Sequence, residues 1–468
     1  MLLLPHNNKR ELPYMEYIKL PSVLKGFTNT NTKIVETKSN KLMYLIDGLF
    51  KNDEESPLCP NCNKRLHVND KYQVNLRHLS IGSKLSNIRF TKERYRCPSC
   101  GYTKMENIPF KAPRHRITFE LYQYTRDLLA YGFTNKEISE ITGLGKNTVK
   151  DIDLERLKEK YTIDGTKLIK PEKQAKFLGI DEFKLHNGHK YAVVIIDMET
   201  GHILWLAHGK KKATVYSFID HVGLDWMDGV EAIACDMNSD FEEVFEEKCS
   251  HIQPVFDFFH LQKNFCDKVI GEVRKDEYRR LMKEGNSEAA TSLKRSRYIL
   301  TSSKITLQRK DKEAEESKVI SKGSTLFHKE EVVRKSGYVD RYEELINQNK
   351  LLFTTDIIKE KLSKAYKMTD EAKMANEISE IMDICSATKN KHFRWFKRLL
   401  DNHFEGIIAH ATYNISAGKI EGINNKIKTI RRQGYGYPDD DYFFLKLFDA
   451  SRKAYVRNPS SNKITQSL

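Results

Sequence analysis

The hydrophobic pattern of residues 176–260 alternates short apolar runs with longer amphipathic stretches. The runs at 177–180 and 232–235 have the pattern of buried strands, and each is followed at once by an acid, Asp181 and Asp236. A carboxylate placed where a buried strand meets the surface is held rigidly, as catalysis with a metal ion requires. The simpler interpretation is that each strand merely ends in an acid at a turn.

Three more strands are predicted in the same layer. Residues 191–197 (YAVVIID) should turn at Asp197 into a strand at 202–207, so Asp197 is assigned to that turn. Residues 254–260 (PVFDFFH) are predicted as the last strand, and helices are predicted before and after the strand that leads to Asp236. This order predicts an α/β fold whose two strand-end aspartates lie on one edge of the sheet.

A helical stretch near the end of the chain, KIEGINNKIKTIRR, has one apolar and one polar face. At about 100° per residue, Glu421, Asn425, Lys428 and Arg432 fall within a narrow sector, and the isoleucines lie opposite. One interpretation is an amphipathic surface helix with salt bridges. The other is an acid surrounded by cations, including Arg431, that hold a DNA backbone.

Asp181, Asp236 and Glu421 together are suited to hold two divalent cations about 4 Å apart. Carboxylate oxygens favour Mg²⁺ or Mn²⁺ over zinc. One cation would activate water or a 3′-hydroxyl for attack on phosphorus, and the other would stabilise the leaving oxygen. The three acids are therefore predicted as catalytic metal ligands.

Two C-x-x-C knuckles, CPNC and CPSC, precede this region. Their four thiolates, which suit a tetrahedral structural Zn²⁺, are Cys59, Cys62, Cys97 and Cys100. The spacer between the knuckles is long, but residues 72–79 and 87–95 can pair as strands that bring the two knuckles together. A redox pair or coincidence is the alternative.

The stretch FTNKEISEITGLGKNTVKDIDLERL begins at residue 133 and predicts two helices joined by a turn. Thr134 and Glu137 form a capping box that starts the first helix. Ile138 and Ile141 are expected to face inward, and Gly143 lies where the turn needs a flexible backbone. This spacing is typical of a helix-turn-helix, although a plain helical hairpin is the alternative.

The second helix of this unit would enter the major groove of DNA. The side chains that it would present there are Lys146, Asn147, Thr148 and Lys150.

Residues from about 271 to 385 are charged, helix-forming and poor in strand residues, which predicts a helical insertion in the α/β domain. The predicted domains are an N-terminal extension and linker, a zinc-binding domain, a helix-turn-helix domain, a catalytic domain and a C-terminal tail. Their predicted bounds are 1–55, 56–112, 113–165, 174–450 and 451–468.

The net charge of +15 favours an anionic partner, of which nucleic acid is the commonest. The chain has no apolar run long enough to predict a membrane span. The four cysteines outside the knuckles are scattered, which fits a reducing compartment better than a disulfide framework. We therefore expect a cytoplasmic protein.

These motifs in series resemble the DDE transposases of bacterial insertion sequences, and most of all the ISL3 family. The segments that carry the resemblance are CPNC, CPSC, the helix-turn-helix, FLGIDEF, IACDMNSDF, DFFH and KIEGINNKIKTIRRQGYGY. The resemblance covers nearly the whole chain from about residue 24, and it implies a bacterial protein that associates with the nucleoid.

The resemblance implies an RNase H-like catalytic domain that performs Mg²⁺-dependent DNA cleavage and strand transfer. It implies binding to the terminal inverted repeats of the element as well as to target DNA, and we expect a homodimer or larger assembly in the DNA complex. The implied catalytic triad is Asp181, Asp236 and Glu421. Asp257 and His260 match a D-x-x-H segment that would support the metal ligands from outside.

Two other classes of protein share some of these features. A sequence-specific DNA-binding regulator would use the knuckles and the helix-turn-helix while its RNase H-like domain stayed inactive. A structure-specific nuclease would cleave DNA without joining ends. The strand-end acids argue against the first class, and the sequence-reading modules argue against the second.

Overall fold

The structure, a computed structural model, describes residues 24–37, 42–51, 57–188, 190–209, 211–237, 239–316, 319–322, 330–415, 418–434 and 436–453. The chain forms two compact units. The first contains the described residues up to Ile169 together with those of Arg432–Leu445, and the second contains the described residues of Lys170–Arg431 and those from Lys446 onward. Most of the predicted extension and tail lies outside the described residues.

The first unit begins with a five-stranded sheet. Its strands are β1 (Phe27–Glu36), β2 (Leu42–Phe50), β3 (His67–Ile81), β4 (Lys84–Arg96) and β5 (Thr103–Met105). The order is β1-β2-β4-β3, with β5 also paired to β4, and only the β2–β4 pair is parallel. The predicted hairpin of residues 72–79 and 87–95 is confirmed, since Tyr72 lies opposite Lys92 in the β3–β4 pair.

Strands β1 and β2 lie in a region that the sequence pattern suggested was only extension and linker. They belong to the sheet because their aromatic residues complete its core. The rings of Phe27 and Phe50 lie 5.9 and 5.4 Å from the ring of Phe90, and Phe110 packs at 5.6 Å from the same ring. Such aromatic packing stabilises the sheet beyond the burial of area alone.

Three helices and a short hairpin follow in the first unit. They are α1 (Phe119–Tyr131), α2 (Asn135–Thr142), α3 (Lys146–Tyr161), β6 (Thr162–Ile163) and β7 (Lys167–Leu168). The predicted capping box of Thr134 and Glu137 is confirmed at the start of α2. Gly143 ends α2 at φ 68°, a left-handed conformation that glycine adopts without strain. Of the two isoleucines expected to face inward, Ile138 is buried, whereas the side chain of Ile141 is 41% exposed.

The second unit is built on a mixed five-stranded sheet. Its strands are β8 (Phe177–His186), β9 (Lys190–Asp197), β10 (Ile203–His208), β11 (Ala232–Cys235) and β12 (Gln253–Phe256). The order is β10-β9-β8-β11-β12; β8, β9 and β10 are antiparallel, and β11 is parallel to both β8 and β12. The turn role predicted for Asp197 is confirmed, because its carboxylate accepts the backbone N–H of Glu199 at 2.8 Å.

Two strands differ in length from the prediction. Strand β8 does not end at Asp181 but continues to His186, because the residues beyond Asp181 pair with β9 in a hairpin. Its parallel pairing with β11 does stop at Gly179, so Asp181 still lies just beyond the shared edge. Strand β12 ends at Phe256 rather than at residue 260, because Asp257 caps the helix that follows.

Helices surround this sheet and extend it into a large helical region. Those between and after the strands are α4 (Lys212–Val222), α5 (Leu224–Met227), α6 (Ser239–Lys248) and α7 (Phe258–Asn264). A π-helical turn, Phe265–Ile270, joins α7 to α8 (Gly271–Lys283). The next helices are α9 (Ser287–Leu293), α10 (Arg297–Thr301), α11 (Lys304–Glu316), α12 (Tyr338–Asn347), α13 (Lys350–Ala365) and α14 (Glu371–Ala387).

The predicted helical insertion is therefore mostly helical, but it also contains the hairpin of β13 (Val319–Lys322) and β14 (Glu330–Val333). The remaining helices are α15 (Lys391–Asn402), α16 (Phe404–Ile408), α17 (His410–Tyr413), α18 (Gly418–Gln433) and α19 (Asp440–Ser451). Buried residues of the insertion share one hydrophobic core with the sheet. Among the described residues, no helix is both long and apolar enough to cross a bilayer.

Candidate active site

The four knuckle cysteines converge at one end of the β3–β4 hairpin. Their sulfur atoms all lie within 4.8 Å of one another, and the closest pairs are Cys59 with Cys100 at 3.3 Å and Cys62 with Cys97 at 3.4 Å. Four thiolates bound at about 2.3 Å to a tetrahedral zinc lie roughly 3.8 Å apart, so this cluster fits the ion. The long spacer between the knuckles is the hairpin itself.

Helix α3 presents its first residues at the surface of the first unit. Lys146 and Asn147 are exposed, and Thr148 and Lys150 are half-buried. Lys150 already has a partner, because its Nζ lies 2.8 Å from a carboxylate oxygen of Asp439. Burial alone would raise the pKa of Asp439, but the hydrogen bond from Lys150 holds that pKa below its usual value.

A second contact fixes the segment around Asp439 to the same helices. The hydroxyl of Tyr442 donates to Asp153 at 2.7 Å, and the side-chain amide of Asn135 donates to that hydroxyl at 3.1 Å. The ammonium group of Lys150 lies 5.5 Å from the ring centroid of Tyr442, a cation–π distance. The segment Arg432–Leu445 is therefore packed on α2 and α3.

In the second unit, an open cleft of about 870 Å³ brings together the three predicted acids. Asp181 comes from β8, Asp236 follows β11, and Glu421 lies in the first turn of α18. Among the described residues, only the four cysteines converge closely enough to form an evident set of metal ligands. The three acids line the same cleft but do not form such a set by themselves.

The carboxylate of Asp181 is oriented by two donors. The backbone N–H of Glu182 donates to its Oδ1 at 2.7 Å, and the side-chain amide of Asn424 donates to its Oδ2 at 2.5 Å. Burial raises the pKa of Asp181, and the hydrogen bond from Glu182 opposes this rise. A half-buried carboxylate near the charge of Asp236 is stabilised by a nearby cation, which offsets both desolvation and like-charge repulsion.

Asp257 and His260 form a connected pair on the same cleft. Asp257 is buried and caps α7 by accepting the backbone N–H of His260 at 3.0 Å. The same oxygen lies 2.9 Å from Nδ1 of His260. This hydrogen bond raises the pKa of His260 despite its burial, and the charges of Asp236 and Asp181 act in the same direction.

Helix α18 approaches β8 closely because position 179 is glycine. A β-carbon at Gly179 would lie only 2.7 Å from Cδ1 of Ile420, which packs against this position. Further along the helix, Arg431 donates to the backbone carbonyl of Lys184 at 2.8 Å. These contacts hold the helix against the strand and bring Glu421 to the cleft.

Comparison with known proteins identifies the family of the chain. The family described as Transposase, of the DDE type of ISL3 elements, matches residues 178–447. This is more than half of the 468 residues. The chain belongs to the ISL3 family of transposases. A second family, the zinc-finger of transposase IS204/IS1001/IS1096/IS1165, matches residues 55–100.

Two similar proteins are also transposases of insertion sequence elements. The transposase for insertion sequence element IS1001 of Bordetella parapertussis is 25% identical over 392 residues, which cover 83% of this chain and 87% of the relative. The transposase for insertion sequence element IS1557 of Mycobacterium tuberculosis is 26% identical over 168 residues, 36% of each chain. The zinc-finger match and the four-thiol cluster together support a structural zinc in this transposase.

Of the predicted DNA-binding residues on α18 of this transposase, two line the cleft and two lie elsewhere. Asn425 and Lys428 line the cleft beside Glu421. Arg431 instead donates to the backbone of β8, and Arg432 is exposed at the last turns of α18. The isoleucine face is only partly buried, because Ile420 and Ile427 are buried whereas Ile423 and Ile430 are half-buried.

Sequence reasoning missed two residues at this cleft of the transposase. Asn424 donates to Asp181, and His410 is 92% buried with an Nδ1 that has no hydrogen-bond partner among the described residues. A signal existed for Asn424, because a residue three positions after Glu421 lies on the same helical face. His410 carries no such signal, since its position depends on the packing of α17.

Proposed function

We propose that this transposase binds the terminal inverted repeats of its insertion sequence and catalyses metal-dependent DNA cleavage and strand transfer. The observation that carries the proposal is the cleft lined by Asp181, Asp236 and Glu421, which come from three separate elements. A single chance acid at a strand end is common. Three acids that meet at one cleft beside the cation Lys428 are a specific arrangement for phosphoryl transfer.

The sheet topology supports an RNase H-like catalytic domain. Three antiparallel strands are followed by two that run parallel to the first, and the first strand is central in the order β10-β9-β8-β11-β12. Asp181 on the central strand and Asp236 after its parallel neighbour thus belong to adjacent strands. The helical region separates both from Glu421 in sequence, and α18 returns to the central strand.

The donor set fits Mg²⁺ or Mn²⁺, because the three acids offer hard oxygen ligands and burial of Asp181 favours a neighbouring cation. When bound, such ions would stabilise charge on the phosphoryl group and activate the attacking water or 3′-hydroxyl. The residues of the chain orient and attract the substrate. Asn424 and Glu182 hold the Asp181 carboxylate, Lys428 attracts the DNA backbone to the cleft, and Asp257 fixes the ring of His260.

The first unit supports recognition of the DNA ends. Its α2–α3 pair has the capping, the left-handed glycine and the buried apolar residues of a helix-turn-helix. The zinc-stabilised hairpin precedes it in the same compact unit. Cleavage at both ends of an element and their joining to a target require two coordinated active sites, and we infer a homodimer or larger assembly on DNA.

The direct test uses the full chain and linear DNA that carries the inverted repeats flanking its reading frame. With Mg²⁺, the expected result is cleavage at the repeat ends followed by joining to a second DNA molecule. Cleavage without joining and without dependence on the repeats would indicate a structure-specific nuclease. Binding without cleavage would indicate a regulator.

End recognition should depend on the start of α3. Asn147→Ala in the full chain should weaken specific end binding by about tenfold or more, because a bidentate contact to adenine contributes about 1–3 kcal/mol of discrimination. Lys150→Ala should also weaken binding, and affinity should fall with salt. Fluorescence anisotropy with repeat and scrambled DNA measures the affinity and the specificity of end binding. The matched control is Lys167→Ala, because Lys167 is exposed and lies outside these helices.

The Lys150–Asp439 contact allows a second test of whether Lys150 binds DNA. If Lys150 contacts DNA, it must exchange Asp439 for phosphate or base, and Asp439→Asn should raise the affinity for ends. In the Lys150→Ala background, Asp439→Asn should then have no such effect. Equal affinities for repeat and scrambled DNA in the unaltered protein would assign specificity to another part of the chain.

The cationic end of α18 should hold DNA near the cleft. Replacing Lys428 and Arg432 with alanine should reduce cleavage and joining by about tenfold or more, because hydrogen bonds to charged groups contribute about 1.5–3 kcal/mol each. End binding should fall only modestly, since both changes lie outside α2 and α3. The buried residue Ile427 is untouched, so the helix should stay in place.

The matched control for this pair is Arg309→Ala with Lys312→Ala. Both side chains are exposed, at 69% and 76%, on α11 in the insertion. An equal loss of activity in this control would mean that general positive charge, rather than the position of α18, explains the effect.

A further inference from the structure

Asn424 lies one turn after Glu421 on α18 and contacts a different acid of the cleft. Its side-chain Nδ2–H donates to Oδ2 of Asp181, so one amide links the helix that carries Glu421 to the strand that carries Asp181. Asn424 itself lines the cleft and is half-buried. No other side-chain donor to Asp181 is found among the described residues.

The position of this amide follows from the packing of helix on strand. Ile420 packs at Gly179, and from there Asn424 lies four residues, about 6 Å, along the helix. Asp181 lies two residues, about 7 Å, along the strand in the same direction. These two distances from the Gly179–Ile420 contact are nearly equal. The Asn424 amide therefore lies beside the Asp181 carboxylate.

The other end of the amide is unsatisfied. Oδ1 of Asn424 is buried and has no hydrogen-bond partner in the described structure. The reverse orientation of the amide would put this oxygen against the Asp181 carboxylate, where two acceptors repel, so the observed orientation is the favourable one. A buried carbonyl oxygen without a donor is unfavourable unless a cation or its water ligand supplies the missing interaction.

We propose that Asn424 is a positioning residue of the metal site: its Nδ2–H fixes the Asp181 carboxylate, and its Oδ1 accepts from a water ligand of the cation or binds the cation itself. This inference rests on the proposed function. It adds a neutral oxygen donor to the three acids.

The test measures cation binding separately from cleavage. Mn²⁺ binding to the DNA-free full chain is followed by electron paramagnetic resonance, and the difference between the unaltered protein and Asp181→Asn defines the ions bound in the cleft. Asn424→Ala should weaken this binding by about 10- to 100-fold, the usual effect of losing a group that orients a metal ligand. The Mg²⁺ concentration for half-maximal cleavage should rise in proportion.

Asn424→Asp tests the roles of the Nδ2–H donor and the Oδ1 acceptor separately. It keeps an oxygen for the cation but replaces the amide donor with a second carboxylate facing Asp181. Mn²⁺ binding should therefore be retained while cleavage stays below that of the unaltered protein at saturating Mg²⁺. Thr429→Ala, on an exposed residue of the same helix, should match the unaltered protein in both measurements.

The outcomes distinguish this inference from the proposed function. If Asn424→Ala binds Mn²⁺ and responds to Mg²⁺ as the unaltered protein does, the inference is overturned and the proposed function stands. Lost cleavage with unchanged Mn²⁺ affinity would also overturn it, since Asn424 would then act on DNA. If the unaltered protein neither binds Mn²⁺ in the cleft nor cleaves, the proposed function fails and the inference fails with it.

Discussion

Each of the single substitutions Asp181→Asn, Asp236→Asn and Glu421→Gln should abolish DNA cleavage and joining. Each change keeps the shape of the side chain and removes a charged oxygen ligand. Each substitution should remove several kcal/mol of transition-state stabilisation, which corresponds to a roughly thousandfold lower rate. A gel assay with repeat-bearing DNA and Mg²⁺ measures the rates of cleavage and joining.

The same changes should leave the fold and end binding nearly intact. Burial raises the pKa of Asp181, which means that its charge opposes folding in the absence of a cation. Asp181→Asn should therefore unfold at a temperature equal to or above that of the unaltered protein when no divalent cation is present. Asp236 and Glu421 are exposed, and their replacement removes little packing.

Asp220→Asn, on an exposed acid of α4, is the matched control and should cleave normally. If one of the three amide variants retained near-normal cleavage, that acid would not be a member of the catalytic set. Glu182, which lines the same cleft, would then be the next acid to replace.

Local sequence patterns predicted three of the acids that line the cleft. Asp181 and Asp236 each follow a run of buried residues, and Glu421 lies on the polar face of a helix whose apolar face is partly buried. The exact length of β8 was not predictable in this way, because the pairing of β8 with β9 beyond Asp181 is decided by a partner strand. The neutral contact of Asn424 likewise depends on the approach of two elements distant in sequence.

The first unit contains the largest differences from the sequence prediction. Strands β1 and β2 alternate poorly between apolar and polar residues, and their place in the sheet depends on aromatic contacts to Phe90 and Phe110. The Lys150–Asp439 ion pair joins residues 289 positions apart, which no local pattern predicts. Helix signals in α2, by contrast, are local, and the predicted cap was confirmed.

Removing the structural zinc should disorder the knuckle end of the β3–β4 hairpin but leave the aromatic core of its sheet folded. The small cluster around the knuckles contains Cys59, Cys97 and Leu66, and it is separate from the core around Phe90. So few buried residues cannot offset the entropy of ordering the knuckle loops, and zinc binding must supply that free energy. The sheet core does not depend on the metal in this way.

Elemental analysis of the full chain should accordingly find one zinc per molecule, and Cys62→Ser with Cys100→Ser should lose it. Limited proteolysis of that variant should produce new cuts near both knuckles, and end binding should fall because the hairpin shares a compact unit with α2 and α3. Cys266→Ala, which removes a half-buried thiol outside the cluster, should keep both zinc and end binding. A protein free of zinc, or one whose proteolysis pattern is unchanged after treatment with a strong chelator, would show that these four thiols do not hold the hairpin together through a metal.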